Sequence, residues 1–213
     1  MRLVVPILFG LLGTAVLVAF GVWQLQRAEW KDGILAQVEA RLASAPVPLP
    51  ADPDPDGDLF LTVELDGRIA GAPIPVFGTW RGAGAGYKIV VPVETGGRRV
   101  LVDLGVAASA DPAIPTGEVF VIGNLNWPDE TEASPESEVW TSLDLPAMAE
   151  RAGTEPVLIT ARETLGPAIR AVPLDTAGIP DNHMGYAVQW FGLAAVWAGM
   201  AGYFAWRTAR GTA

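Results

Sequence analysis

The feature that most constrains this chain is a pair of long uncharged runs, one near each end. No Asp, Glu, Lys or Arg occurs from Leu3 to Gln26, and none from Asn182 to Trp206. At about 1.5 Å of rise per residue, a helix of either length crosses a hydrocarbon core of roughly 30 Å. Both are read as transmembrane helices, over 3–26 and 182–206. A cleaved signal peptide would also begin with Met1-Arg2 and an apolar stretch, but the first run is long and no small-x-small site leads into "GVWQLQRAEWKDG". A buried core helix is the alternative for the second run. Its ending, "YFAWRTAR", argues for a membrane interface instead, with Tyr203 and Trp206 as an aromatic belt followed by Arg207 and Arg210.

Charge is confined to what lies between. All 24 acidic residues fall between Glu29 and Asp181, and the interval from Arg27 to Asp181 holds 11 of the 14 basic ones. So acidic a segment is a poor partner for phosphates, which excludes a nucleic-acid role. The arginines after the second run favour both termini inside, which makes the central segment periplasmic and 207–213 a cytoplasmic tail. Two lysines against twelve arginines suit a bacterial inner membrane. With no cysteine, the exported part has no disulfide framework.

The central segment reads as α+β. Residues 27–58 begin with "RAEWKDGILAQVEARLA", whose Trp30, Ile34, Val38 and Leu42 recur every fourth position and predict an amphipathic helical extension. "SAPVPLPADPDPDGD" then predicts an extended, solvated connector, because proline at that density cannot continue a helix. Over 59–181, "LFLTVEL", "YKIVVPVE", "RRVLVDLGV", "EVFVIGNL" and "EPVLITARE" read as strands, and "VETGGRRV" as a hairpin. One prominent helix is predicted at "DLPAMAERAG", with Asp144 as its cap and Gly153 as its end.

The chemistry available is narrow. A single histidine and no cysteine exclude multi-histidine zinc sites and thiol nucleophiles, and no nucleophile elbow or Walker loop is present. "RGAGAGYK" lacks the following helix a phosphate loop needs and reads as a turn. The acidic pairs Asp129/Glu130 and Glu136/Glu138 beside Pro128 and Pro135 read as a solvated loop. These absences predict a protein that is not an enzyme.

The second helix says more. Gly185, Gly192 and Gly199 recur every seven residues and predict a packing seam for the first helix, which offers Gly10, Thr14 and Gly21. His183, Ala187, Trp190, Ala194, Trp197 and Ala201 then fall on the outward face. That face suits lipid, a partner protein or a flat apolar ligand. His183 is either an interfacial polar residue or a metal ligand. Its place in the first turn of a helix capped by Asp181 or Asn182 favours a neutral imidazole.

Four stretches carry a family likeness: "GVWQLQRAEWKDGIL", "YKIVVPVETGGRRVLVDLG", "VWTSLDLPAMAERAGTEPVLI" and "IPDNHMGYAVQWFGLAA". Together, in order and over most of the chain, they resemble the Surfeit-locus-one family of cytochrome c oxidase assembly factors. The resemblance implies two membrane helices flanking a periplasmic domain. It also implies binding of haem a and its delivery to oxidase subunit I, with haem a synthase as a further partner. The family NxHxxY histidine falls on His183 with Tyr186 three residues on, and the family W-Q-x-x-R on Trp23, Gln24 and Arg27. On this likeness His183 is the iron ligand, with Trp190 and Trp197 lining the porphyrin. A non-haem-binding scaffold docking on subunit I is the alternative. The chain departs from the family at Asp103, Leu104, Gly105 and Val106, where relatives carry an Asn-Arg-Gly step before an aromatic residue.

Overall fold

A computed structural model describes residues 4–128 and 137–210, in two compact units. One joins residues 1–37 with 179–213; the other is 38–178. Asp129, Glu130 and Glu136 lie outside the described residues, as do Leu3 and 211–213, whereas Glu138 is exposed.

The first unit is built from two helices. Helix α1, Val4–Leu42, runs unbroken, so the apolar run and the predicted amphipathic extension are one element. Helix α3, His183–Arg210, packs antiparallel along its apolar half, with His183 beside Gln24 and Ala201 beside Gly10. Among the described residues only α1 is long and apolar enough, by length and composition, to cross a membrane. Of the two such helices expected, α1 meets this criterion and α3 does not. That helix carries no charge before Arg207, but its glycines, tryptophans, Gln189 and His183 dilute its hydropathy.

The second unit is a seven-stranded mixed sheet. Its strands are β1 (Val47–Pro48), β2 (Thr62–Ile69), β3 (Ile74–Trp80), β4 (Gly84–Thr95), β5 (Arg98–Ala107), β6 (Glu118–Asn126) and β7 (Leu158–Ala161). They lie in the order β1-β2-β6-β7-β5-β4-β3. A further antiparallel pairing of Arg68 with Glu94 and Ile69 with Val93 joins β2 to β4 and closes five strands into a ring. Closure brings Gly67 so near that a Cβ there would stand 2.6 Å from the Glu94 carbonyl. Val63, Val91, Val102, Leu104, Val121 and Ile159 fill the interior, alternating along their strands as a half-buried sheet requires.

On the outer face, helix α2 (Leu145–Ala152) packs Leu145, Met148 and Ala149 over Val76, Val90, Leu101 and the fully buried Trp140. Its ends are as the sequence predicts. Asp144 Oδ1 accepts from the Ala147 N–H at 3.0 Å, and Gly153, at φ 62°, closes the helix in the left-handed region. The hairpin between β4 and β5 turns on Gly96 and Gly97, with φ of 54° and 79°, a two-residue turn open to glycine.

Two expectations about this unit change. The Pro- and Asp-rich stretch is not a free connector: it supplies β1, its Leu49 N–H donates to the Glu64 carbonyl, and the Pro50 carbonyl receives Arg98. And "IPVFGTW" forms β3, a strand that Pro75 and Gly78 conceal in the sequence. Proline is tolerated because β3 lies at the sheet edge, where Trp140 donates to the Pro75 carbonyl. The glycine stretch after it is a short turn at Arg81–Ala83, and Gly84–Gly86 already belong to β4.

Candidate functional site

In the helix pair, size complementarity decides which faces meet. Trp197 lies against Gly13 and Phe191 against Gly21, where any Cβ on the glycines would fall under 3 Å from the rings. At Gly10 a Cβ would stand 2.6 Å from the Ala201 methyl, so there is room for Ala201 and no more. The small residues of α1 thus receive the large ones of α3.

This reverses the predicted orientation of α3. Gly185, Gly192 and Gly199 face open space, and the His183–Trp190–Trp197 face lies against α1. The glycine stripe and the alanine series Ala187, Ala194 and Ala201 share the same period of seven, so spacing alone does not distinguish them. What distinguishes them is the bulk between the alanines: Trp190 stacks on Phe20 at 4.9 Å and Trp197 meets Phe9 at 5.5 Å. The Trp197 Nε1–H donates to the Gly10 carbonyl at 3.2 Å, giving a polar group in an apolar setting its partner. Trp197 is a packing residue of the helix pair, not part of an outward ligand surface.

His183 starts α3, its backbone N–H held by the Asp181 carboxylate at 3.2 Å, while the Asn182 carbonyl accepts the first helical bond, from Tyr186. Both predicted capping residues take part. The imidazole Nδ1 lies 2.8 Å from Gln24 Oε1 on α1. Gln24 is only 9% exposed and is the one buried polar residue among the buried positions of α1, with Gly10, Gly21 and Ala28.

The remaining family positions separate. Trp23 is exposed, and the Arg27 guanidinium stacks 4.2 Å above the Trp30 ring at the charged end of the apolar run. Tyr186 is exposed one turn beyond His183. Sequence reasoning took Gln24 only as part of a motif. Its spacing of three from Gly21 and fourteen from Gly10 places it on the same helical face, the signal that could have paired it with the histidine. No group of three or more His, Cys, Asp or Glu residues able to hold a metal occurs among the described residues. A metal bound at His183 would therefore have to bring most of its own coordination sphere.

Sequence reasoning also missed a second buried polar feature, on the outer face of the sheet. Lys88 on β4 and Asp103 on β5 are 6% and 1% exposed, with Nζ 2.8 Å from Oδ2. The contact lies off the hydrogen-bond direction and acts as a charge pair. Trp80 lies over the ammonium at 4.5 Å. Asp103 Oδ1 accepts the Gly105 N–H at 2.9 Å, holding a bulge in which Leu104 and Gly105 together oppose Ile89. Gly105 has φ 117°, and a Cβ there would stand 2.1 Å from the Arg170 carbonyl. In this bulge Leu104 points into the ring and is 1% exposed, so it is part of the core.

Comparison with known proteins decides the family. The SURF1 family model matches residues 11–195, from α1 through the sheet to α3. The chain belongs to the SURF1 family. It is similar to Surfeit locus protein 1 of Rattus norvegicus, 30% identical over 82% of this chain and 67% of the relative. The Homo sapiens protein of that name is 29% identical, over 82% of this chain and 69% of its own length. Membership in this family of oxidase assembly factors supports a role for the chain in cytochrome oxidase assembly. Its long apolar N-terminal helix fits a membrane protein.

Proposed function

We propose that the chain is a membrane-anchored carrier that binds haem a through His183 and assists its insertion into subunit I of a haem-copper oxidase, receiving it from haem a synthase. The observation that carries this reading is the 2.8 Å contact between His183 Nδ1 and Gln24 Oε1, which engages one ring nitrogen of a half-buried imidazole and leaves Nε2 outside that contact. A ligating histidine commonly donates its other ring N–H to an oxygen acceptor in this manner. Haem brings four equatorial nitrogens of its own, so it suits a site with one protein donor. His183 would be the single protein ligand to the iron, which would favour release.

Of the aromatic residues, the exposed Tyr186 lies one helical turn from His183, while Trp190 is stacked on Phe20 of α1. Trp197 is fourteen residues further on, about 21 Å along the helix, and its indole is engaged by α1.

The same reading has α3 cross the membrane beside α1. Asn182–Trp206 carries no charge, and the side-by-side packing from Gly10/Ala201 to Gln24/His183 covers the apolar length of α1. A crossing pair with Arg207 and Arg210 at its far end puts the sheet domain in the periplasm of a bacterial inner membrane.

The test is the visible spectrum of the full chain purified in detergent after co-expression with haem a synthesis enzymes. Wild type is expected to carry haem and His183→Ala to lose it. Equal haem in both would remove His183 as ligand. Well-folded wild type without haem, still recovering subunit I in a pull-down, would leave a scaffold.

A further inference from the structure

We infer that Gln24 is a positioning residue that selects the tautomer of His183. The inference rests on the carrier reading for its purpose, but its structural content stands apart from haem. Gln24 and His183 come from opposite ends of the sequence, and each is the polar residue its helix presents at that level of the pair. Gln24 is 9% exposed, with Gly21 and Ala28 on its own face and His183 across from it.

A glutamine amide can meet an imidazole nitrogen in two ways. Through Oε1 it accepts from Nδ1–H and leaves the lone pair on Nε2; through its NH2 it donates to Nδ1 and forces the proton onto Nε2. Only the first leaves the outer nitrogen able to bind a metal. In water the Nε2–H form of histidine predominates, so a buried acceptor at Nδ1 is needed to favour the other. The geometry assigns that acceptor to Oε1. Gln24 therefore fixes ring orientation and proton position before any ligand arrives, which is how an outer-shell partner raises the basicity of a metal-binding histidine.

His183 is the only histidine in the chain, so its ring nitrogens give an unambiguous 15N spectrum in the full-length protein. At pH 8 in detergent, without haem, wild type is expected to show protonated Nδ1 and unprotonated Nε2. Gln24→Leu should move the proton to Nε2; Gln24→Glu, which keeps an oxygen acceptor, should not. An Nε2–H spectrum in wild type, a measurement that needs no variant to fold, would overturn the inference. So would a Gln24→Leu spectrum identical to wild type. In haem-loaded protein, Gln24→Leu should weaken retention roughly 10- to 100-fold relative to wild type, and Gln24→Glu should largely restore it. A wild type with the Nδ1–H spectrum that never binds haem would sink the carrier reading alone and leave the positioning of the ring intact.

Discussion

Replacing Lys88 by Met is the most informative perturbation of the sheet domain. The ammonium and the Asp103 carboxylate lie 2.8 Å apart and at most 6% exposed, so neither can turn to water when its partner is removed. Leaving one buried charge unpaired costs about 3–5 kcal/mol. Lys88→Met strands the carboxylate. Asp103→Asn strands the ammonium while keeping an oxygen to accept from Gly105, so the bulge should survive and only the charge is tested. The double variant has no buried charge, and replacing such a pair with neutral groups is often harmless. It should therefore be more stable than either single variant, with a coupling energy of several kcal/mol in the double-mutant cycle. For a chain of this size each kcal/mol moves the melting midpoint by roughly 2–4 °C, so each single variant should melt on the order of 10 °C below wild type. Circular dichroism of the full chain in detergent reads the transition. Single-variant losses that simply add in the double variant would mean that the two charges are independently solvated, and the buried-pair reasoning would fail.

The helix register can be tested by adding bulk to either glycine face. Gly10→Leu, which meets Ala201 across the seam, should lower the melting midpoint of the full chain in detergent, whereas Gly199→Leu, which faces open space, should not; the opposite outcome would return the glycine stripe to the seam. Stability should also respond to acid through Glu155, whose carboxyl is held below the usual glutamate range by hydrogen bonds and charge from Arg98. A depressed folded-state pKa contributes stability above the ordinary glutamate pKa and loses it as pH falls through the folded value. The melting difference between wild type and Glu155→Gln should accordingly be present near neutrality and vanish in acid. A difference unchanged down to the acid limit would show that the pair contributes nothing.

Much of this protein is determined by local sequence. The uncharged run of α1, the Asp144 and Gly153 caps of α2, the two-glycine hairpin and five of the seven strands follow from periodicity and turn chemistry, which act over a few residues. The family likeness is equally legible, carried by short motifs at Trp23–Arg27 and Asn182–Tyr186. Tertiary structure decides what depends on residues distant in sequence. Proline 75 disguises β3 until the strand is seen to lie at an edge. The direction in which α3 faces is ambiguous by spacing, because glycines and alanines repeat with one period; it is settled by the fit of Trp197 and Phe191 against Gly13 and Gly21. The partners Lys88 with Asp103, and His183 with Gln24, are 15 and 159 residues apart. Spacing can mark the face on which Gln24 lies, but only packing brings each pair together at one point.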